Sequence, residues 1–292
     1  MKNNYIVTIN NISDIEKLKS LGITNYAFPL KGFCVGMPNT FLSEEIKENS
    51  YVFINRILDN KGIDELRKEL NNIKNIKGII FDDLGILELI KNMDVEKILY
   101  LSHFNTNSVS INLYLDYVDT VILSTDITKD EIEYIIKNTK KEISLFTFGY
   151  IGVMYSRRHL IKNYSEFHNI EYKNPLVIEN DQKEFLVYEN EFGTYFYYNK
   201  IFNGKDILEL PVKYNFINSA FLSVSNIEDF LNNKNIDNSD TGFLYQETIY
   251  KVKDDSNVWV ISAGRRFRKI KNCFAIWSRC CLCRRQRLQF KS

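Results

Sequence analysis

Short apolar runs recur along the first half of this chain about every 20–30 residues, each followed by an amphipathic stretch. That alternation restricts the fold more than any other feature. Tyr5–Ile9, Tyr26–Phe28, Tyr51–Ile54, Gly78–Phe81, Ile98–Leu101, Thr120–Leu123 and Ile143–Phe146 read as strands. Gly78–Phe81 is apolar throughout, as a strand covered on both faces must be. The intervening segments carry helical period. Ser13-Asp-Ile-Glu16 has capping-box spacing. Ile63, Leu66, Leu70 and Ile73 share one face of a helix predicted over Gly62–Ile73, and Gly85–Lys91, Ser108–Leu115 and Thr128–Lys137 continue the pattern. Ser43–Glu48 reads as a brief helix. Seven strands alternating with helices predict an α/β chain of parallel units, and their spacing predicts a TIM-type β/α barrel.

Past residue 175 the texture turns aromatic. Phe185–Tyr188 and Thr194–Tyr198 flank Gly193 as an added β-hairpin. Leu208–Leu210, Phe216–Ile217 and Phe221–Val224 are the runs left to complete the barrel, with Ile227–Asn232 as a last helix.

The final residues are composed differently. Arg265–Ser292 holds seven of eleven arginines, four of five cysteines, three lysines and no acid. Before it, the body carries 28 basic and 37 acidic side chains, a net of −9. An acidic body repels polyphosphate, so RNA contact by the body alone is disfavoured. The expected organisation is a barrel domain over 1–253 and a poorly ordered tail over 254–292. The body's one thiol, Cys34, lies in an apolar run and reads as a buried free cysteine. Cys273, Cys280, Cys281 and Cys283 match no usual zinc spacing, so no metal site is expected. The chain shows no secretory leader and no apolar run long enough to span a bilayer, which predicts a cytoplasmic protein without a membrane partner.

In a β/α barrel the reactive face lies where strands end and loops begin. The polar residues there include Asn55 and Arg56, Asp82 and Asp83, His103, Asn105 and Asn107, and Ser156, Arg157 and Arg158. Asp82 and Asp83 could supply a general base or a cation ligand, or cap the next helix. His103 could move a proton or sit satisfied in its loop. Arg56, Arg157 and Arg158 could grip an anionic group, or pair at the surface. Asn55, Asn105, Asn107 and Ser156 could complete an anion or substrate site. No Gly-x-Ser-x-Gly, His-Glu-x-x-His, P-loop or dinucleotide fingerprint is present.

The run from Gly149 to Tyr164, Gly-Tyr-Ile-Gly-Val-Met-Tyr-Ser-Arg-Arg-His-Leu-Ile-Lys-Asn-Tyr, resembles the signature of the collagenase-like peptidases, peptidase family U32. Asn55-Arg-Ile-Leu, Phe81-Asp-Asp-Leu-Gly85, Asn105-Thr-Asn107, the Leu123–Asp126 segment, Gly193-Thr194 and Thr241–Tyr245 follow in that family's order, over roughly residues 1–252. The resemblance implies a TIM-type barrel. It looks most like the shorter, cysteine-poor bacterial members that sit beside a longer paralogue. The family name implies proteolysis, whereas several members are linked to RNA or quinone hydroxylation with prephenate-dependent or iron–sulfur chemistry. The chain departs from the pattern where Phe148 replaces the usual His, Met154 the cluster-binding cysteine, and Thr125-Asp126 an Arg-Glu pair. Those departures argue against an iron–sulfur cluster and against independent catalysis. The resemblance therefore implies a subunit acting with a longer paralogue in tRNA uridine hydroxylation, touching tRNA through that partner and holding at most a prephenate-like anion. The competing expectations are a peptidase acting on peptides or collagen-like chains, and a noncatalytic structural barrel.

A family reading also bears on the tail. Codons can be chosen from Arg265 onward so that a one-base shift spells a peptide resembling the first β/α unit of a longer paralogue, which parallels Ile12–Phe28 here. The expectation is a one-base frameshift in the gene near codon 264.

Overall fold

Eight parallel strands close edge to edge into a barrel in the computed structural model, which describes residues 4–102, 106–180 and 183–246. In chain order the elements are β1 (Tyr5–Thr8), α1 (Asp14–Ser20), β2 (Asn25–Pro29), β3 (Tyr51–Ile54), α2 (Asn60–Leu70), β4 (Gly78–Phe81), α3 (Leu84–Ile90), β5 (Glu96–Tyr100), α4 (Ser108–Tyr114), β6 (Thr120–Leu123), α5 (Lys129–Asn138), β7 (Ser144–Ser156), α6 (Leu160–His168), β8 (Leu176–Asn180), β9 (Lys183–Asn190), β10 (Gly193–Asn203), β11 (Asn215–Ile217), α7 (Val224–Leu231) and β12 (Ser239–Asp240). Strands β1 to β7 pair in sequence order, and β11 closes the ring by pairing with both β7 and β1. All four residues of β3, β4 and β6 are buried, because the barrel lumen covers one face and the helices cover the other. Inside, Phe53, Tyr100, Phe146 and Phe216 interlock with ring centroids 5.7–6.4 Å apart. The lumen is thus a packed core rather than a pore.

Helix starts follow local chemistry. Asp59, Asp83 and Asn107 accept backbone N–H bonds from Gly62, Gly85 and Ser110. Thr128 with Glu131 forms a full capping box on α5. Ser13 does not cap α1: its backbone is already helical and its side chain makes no cap bond. The helix expected over Ser43–Glu48 is a single 3-10 turn at Ser43–Glu45. Of the three runs left to finish the barrel, only Asn215–Ile217 forms a strand; Leu208 follows a 3-10 turn and Phe221 lies in a left-handed turn.

The larger difference is β7. Its expected end was Phe146, yet it runs thirteen residues, leaves the barrel and continues as the edge of an antiparallel extension ordered β7-β10-β9-β8. Gly149 permits the departure. Its φ is +133°, and a Cβ there would meet the Asn218 carbonyl at 2.3 Å. The residue before it, Phe148, faces outward and stacks on Phe230 of α7 at 4.4 Å. That side chain belongs to the layer between barrel and helix, so its identity says nothing about proton transfer in the mouth. Met154 is 40 % exposed and lies on the face of β7 opposite Tyr155.

The end of the barrel where strands begin is closed by a polar network. Glu96 accepts from Tyr51 (2.7 Å) and Tyr214 (3.0 Å) and pairs with Lys213 at 2.6 Å. Lys77 donates to Asn25 and lies over both tyrosine rings. Residues through Gln246 form one compact unit; the tail expected over 254–292 lies outside the described residues. No described helix is long and apolar enough to cross a membrane.

Candidate functional site

The opposite end, where the strands finish, gathers most of the expected site residues. Arg56 follows β3, and Asp82 and Asp83 follow its neighbour β4. Asp83 links the two loops: its Oδ1 accepts from Gly85 and its Oδ2 from Leu58 N at 3.4 Å. It is therefore spent on capping α3. Asp82 is not. Its Oδ1 is buried and has no hydrogen-bond partner among the described residues. Burial, with the Asp83 charge adding to it, pushes the Asp82 carboxyl up to about 7. Near neutral pH both its protonated and its ionised forms are within reach, so it can either donate or accept.

Tyrosines gather near this carboxyl. Tyr100 ends β5, and Tyr195 and Tyr197 descend from β10 against the loop after β2, where Tyr197 donates to Gly36 O at 2.7 Å. The fit is tight: a Cβ on Gly36 would meet the Tyr197 oxygen at 2.3 Å, and one on Gly152 would meet the Tyr195 oxygen at 2.3 Å. Burial raises the hydroxyls of Tyr100 and Tyr195, and the Asp82 charge adds to both, which places the three groups in one neighbourhood. Cys34 belongs there too. It is buried and donates to Phe53 O at 2.9 Å, and desolvation pushes its thiol well above the ordinary range. A thiol held this way is neither a nucleophile nor a ready metal ligand.

The rim beside the mouth is basic. The Arg56 guanidinium lies over the Phe192 ring at 3.9 Å and donates to Gly32 O at 2.6 Å, so it ties β10's turn to the loop after β2. Arg157 pairs with Asp59 at 3.4 Å. The Gly62 N–H, and after it Arg157, hold the Asp59 carboxyl below its usual range. Arg158 is exposed and its guanidinium has no partner among the described residues. Tyr155 stands between these cations and donates to Phe192 O at 2.7 Å.

The remaining expected residues serve the scaffold. Asn55 is buried and its amide is saturated by the backbone of Val35, at 2.9 and 3.0 Å. Asn107 caps α4, and Ser156 Oγ accepts from Arg158 N at 3.3 Å. His103 and Asn105 lie outside the described residues.

Sequence reasoning missed the buckle that holds the two arginines in place. Glu189 is buried on β9, yet its carboxylate reaches the start of α6, accepting from Ile161 N (2.8 Å) and Lys162 N (3.3 Å). Thr194 Oγ1 lies 2.7 Å from both Glu189 Oε2 and Arg158 O. Gly193 makes this approach possible: its φ is +134°, and a Cβ would meet Ser156 O at 2.1 Å. The one signal available in the sequence was Gly193-Thr194, a glycine turn followed by a hydroxyl; Glu189 is one of three acids in that hairpin and is not marked out from Glu184 and Glu191.

With eight parallel strands and the site at their finishing end, the molecule is a TIM-type α/β barrel. The sequence profile of peptidase family U32 matches residues 40–208, and the chain belongs to that family. The solved structure of the U32 peptidase Mk0906 is similar at 12 % identity with a TM-score of 0.47, over 74 % of this chain and 92 % of that one. No curated protein sequence matches the chain.

Proposed function

We propose that this barrel is a subunit that binds rather than cleaves, acting with a longer member of its family in the hydroxylation of tRNA uridines. The observation that carries the reading is the chemistry of the mouth. Its carboxyl, Asp82, is raised towards neutrality by burial and has one buried oxygen without a hydrogen-bond partner among the described residues, while its thiol, Cys34, is buried and donates to a backbone carbonyl. A proton-bearing carboxyl can orient a polar ligand; a protonated thiol cannot open an acyl bond. Arg157 and Arg158 would hold an anion such as a prephenate-like carboxylate at the rim. Arg56 has less freedom for that task, because Phe192 and Gly32 engage it. An iron–sulfur cluster does not fit the body's donor set, since Cys34 is its only cysteine and its Sγ faces a backbone carbonyl.

The test is mass spectrometry of tRNA uridines from cells lacking this gene with its longer relative intact, complemented with wild type, Asp82→Asn or the double variant Arg157→Ala/Arg158→Ala. Hydroxylation should fall on deletion and return with wild type only. Unchanged hydroxylation on deletion would remove the reading, and release of peptide fragments by the purified chain would replace it with the peptidase.

A further inference from the structure

Helix α4 is composed like a buried helix, yet one side of it faces solvent. Its inner face is Ile111, with Leu115 and Val118 in the turn that follows, and all three are buried. On the other side stand Val109, Leu113 and Tyr117, which are 80 %, 58 % and 64 % exposed. The N–H groups of Leu115, Asp116, Tyr117 and Val118 bond back to carbonyls three or four residues earlier, so the helical period continues through Tyr117. A step of four residues turns a side chain by only about 40°, so the three form a single ridge roughly opposite the buried face. Residues 108–118 contain one charged side chain, Asp116, and it pairs with Lys140. By contrast α2, another helix of the outer layer, carries Lys61, Asp64, Glu65, Arg67, Lys68 and Glu69.

Single exposed apolar side chains are ordinary, but a continuous ridge of them on an uncharged helix marks a surface that is covered. The ridge itself indicates the cover. Its spacing is symmetrical about Leu113, with the small Val109 four residues to one side and the large Tyr117 four residues to the other. A copy of the same ridge, laid antiparallel across a two-fold axis at Leu113, sets Val109 against Tyr117 at each end and Leu113 against Leu113 in the middle. Small meets large, and no side chain of the ridge lacks a partner. Charge agrees. The body before residue 265 has a net charge of −9, so most of its surface repels a second copy. This face does not, because its only acid is already paired.

We propose that the exposed ridge of α4 is the core of a two-fold interface between two copies of this chain, with Leu113 on the axis and Val109 of each copy against Tyr117 of the other. The i, i+4, i+8 ridges interdigitate at the crossing angle that such ridges favour, about −50°. The inference is independent of the ligand reading at Asp82, since it uses no residue of the mouth or of the arginine rim.

The experiment is sedimentation equilibrium of the full chain at moderate and at high salt. A monomer–dimer equilibrium is expected at micromolar concentration, with a dissociation constant that salt leaves within about twofold, because the contact is apolar. Leu113→Lys and Leu113→Glu should each weaken the dimer at least tenfold, since the axis brings like charges face to face. An equal mixture of the two variants should restore it, because position 113 then meets its opposite charge. Val109→Ser/Tyr117→Ser, which removes the ends of the ridge without adding charge, should also weaken it. All variants should keep the circular dichroism spectrum of wild type, as exposed positions allow. A chain that stays monomeric at about 100 µM, a dimer that survives Leu113→Lys, or a mixture that does not reassociate would overturn the proposal. So would association that disappears at high salt, because it would come from the arginine-rich residues 265–292 meeting an acidic body.

Discussion

The two ends of this barrel each bury a carboxyl group, and they treat it in opposite ways. At the end where strands begin, Glu96 has Lys213 at 2.6 Å and two tyrosine hydroxyls on one oxygen. At the end where they finish, Asp82 also has one buried oxygen without a hydrogen bond, as Glu96 Oε1 and Asn215 Oδ1 have at the first end, but no cation pairs with Asp82 among the described residues. A fold selected for stability alone would place a cation beside both, because a buried carboxylate without one is costly to ionise. This difference is the ground for the proposal that the second end binds a ligand.

Removing Glu96 should break this comparison most severely. Glu96→Ala leaves Lys213 and two tyrosines facing a void, and should cost about 3–5 kcal/mol in chemical denaturation. An effect below 1 kcal/mol would mean that the network is decorative.

Asp82 should respond with the opposite sign. Its folded value, about 7, lies above its ordinary 3.8. Below pH 4 both folded and unfolded chains keep the proton. Between pH 4 and 7 the unfolded chain releases it more readily, so wild-type stability falls; above 7 the loss is constant. Asp82→Asn cannot ionise. It should therefore be more stable than wild type by about 2–4 kcal/mol at pH 8, with the gap closing towards pH 4. A variant less stable than wild type at pH 8 would show that the carboxylate has a structural partner.

The smallest expected effect is at the rim. Arg157→Ala removes an exposed ion pair and should leave the melting midpoint unchanged within error. The same substitution together with Arg158→Ala should still lower tRNA hydroxylation. A large drop in midpoint would move these arginines from the ligand to the scaffold.

The barrel was legible in the sequence because parallel strands covered on both faces leave continuous apolar runs, as at Gly78–Phe81 and Thr120–Leu123. The antiparallel extension was only half legible. Gly149 and Gly152 interrupt the apolar run of β7, and Pro175 stands directly before β8, so each looks like a loop where the chain in fact bends or pairs. Site residues divide for a similar reason. A polar residue after a strand announces its end of the barrel, which brought Asp82 and Arg56 together, but not its bonds. Asn55, Asp83 and Asn107 have the same sequence profile as Asp82, yet each is consumed by a nearby backbone. Glu189 was invisible because the strand was expected to end at Tyr188, which left the acid in a turn, whereas β9 runs on to Asn190 and the carboxylate turns inward to the start of α6. Tyr195 and Tyr197 read only as part of an aromatic hairpin strand; the absence of side chains at Gly36 and Gly152 marks where they settle.

The protonation of Asp82 can be watched directly. Difference infrared spectroscopy across pH 5–9, with Asp82→Asn as the blank, isolates the stretch of its protonated carboxyl. The band should titrate away near pH 7, as expected for an acid that burial keeps neutral and no cation offsets. A band already absent at pH 5 would mean that Asp82 is an ordinary ionised surface acid, and the contrast between the two ends of the barrel would not exist.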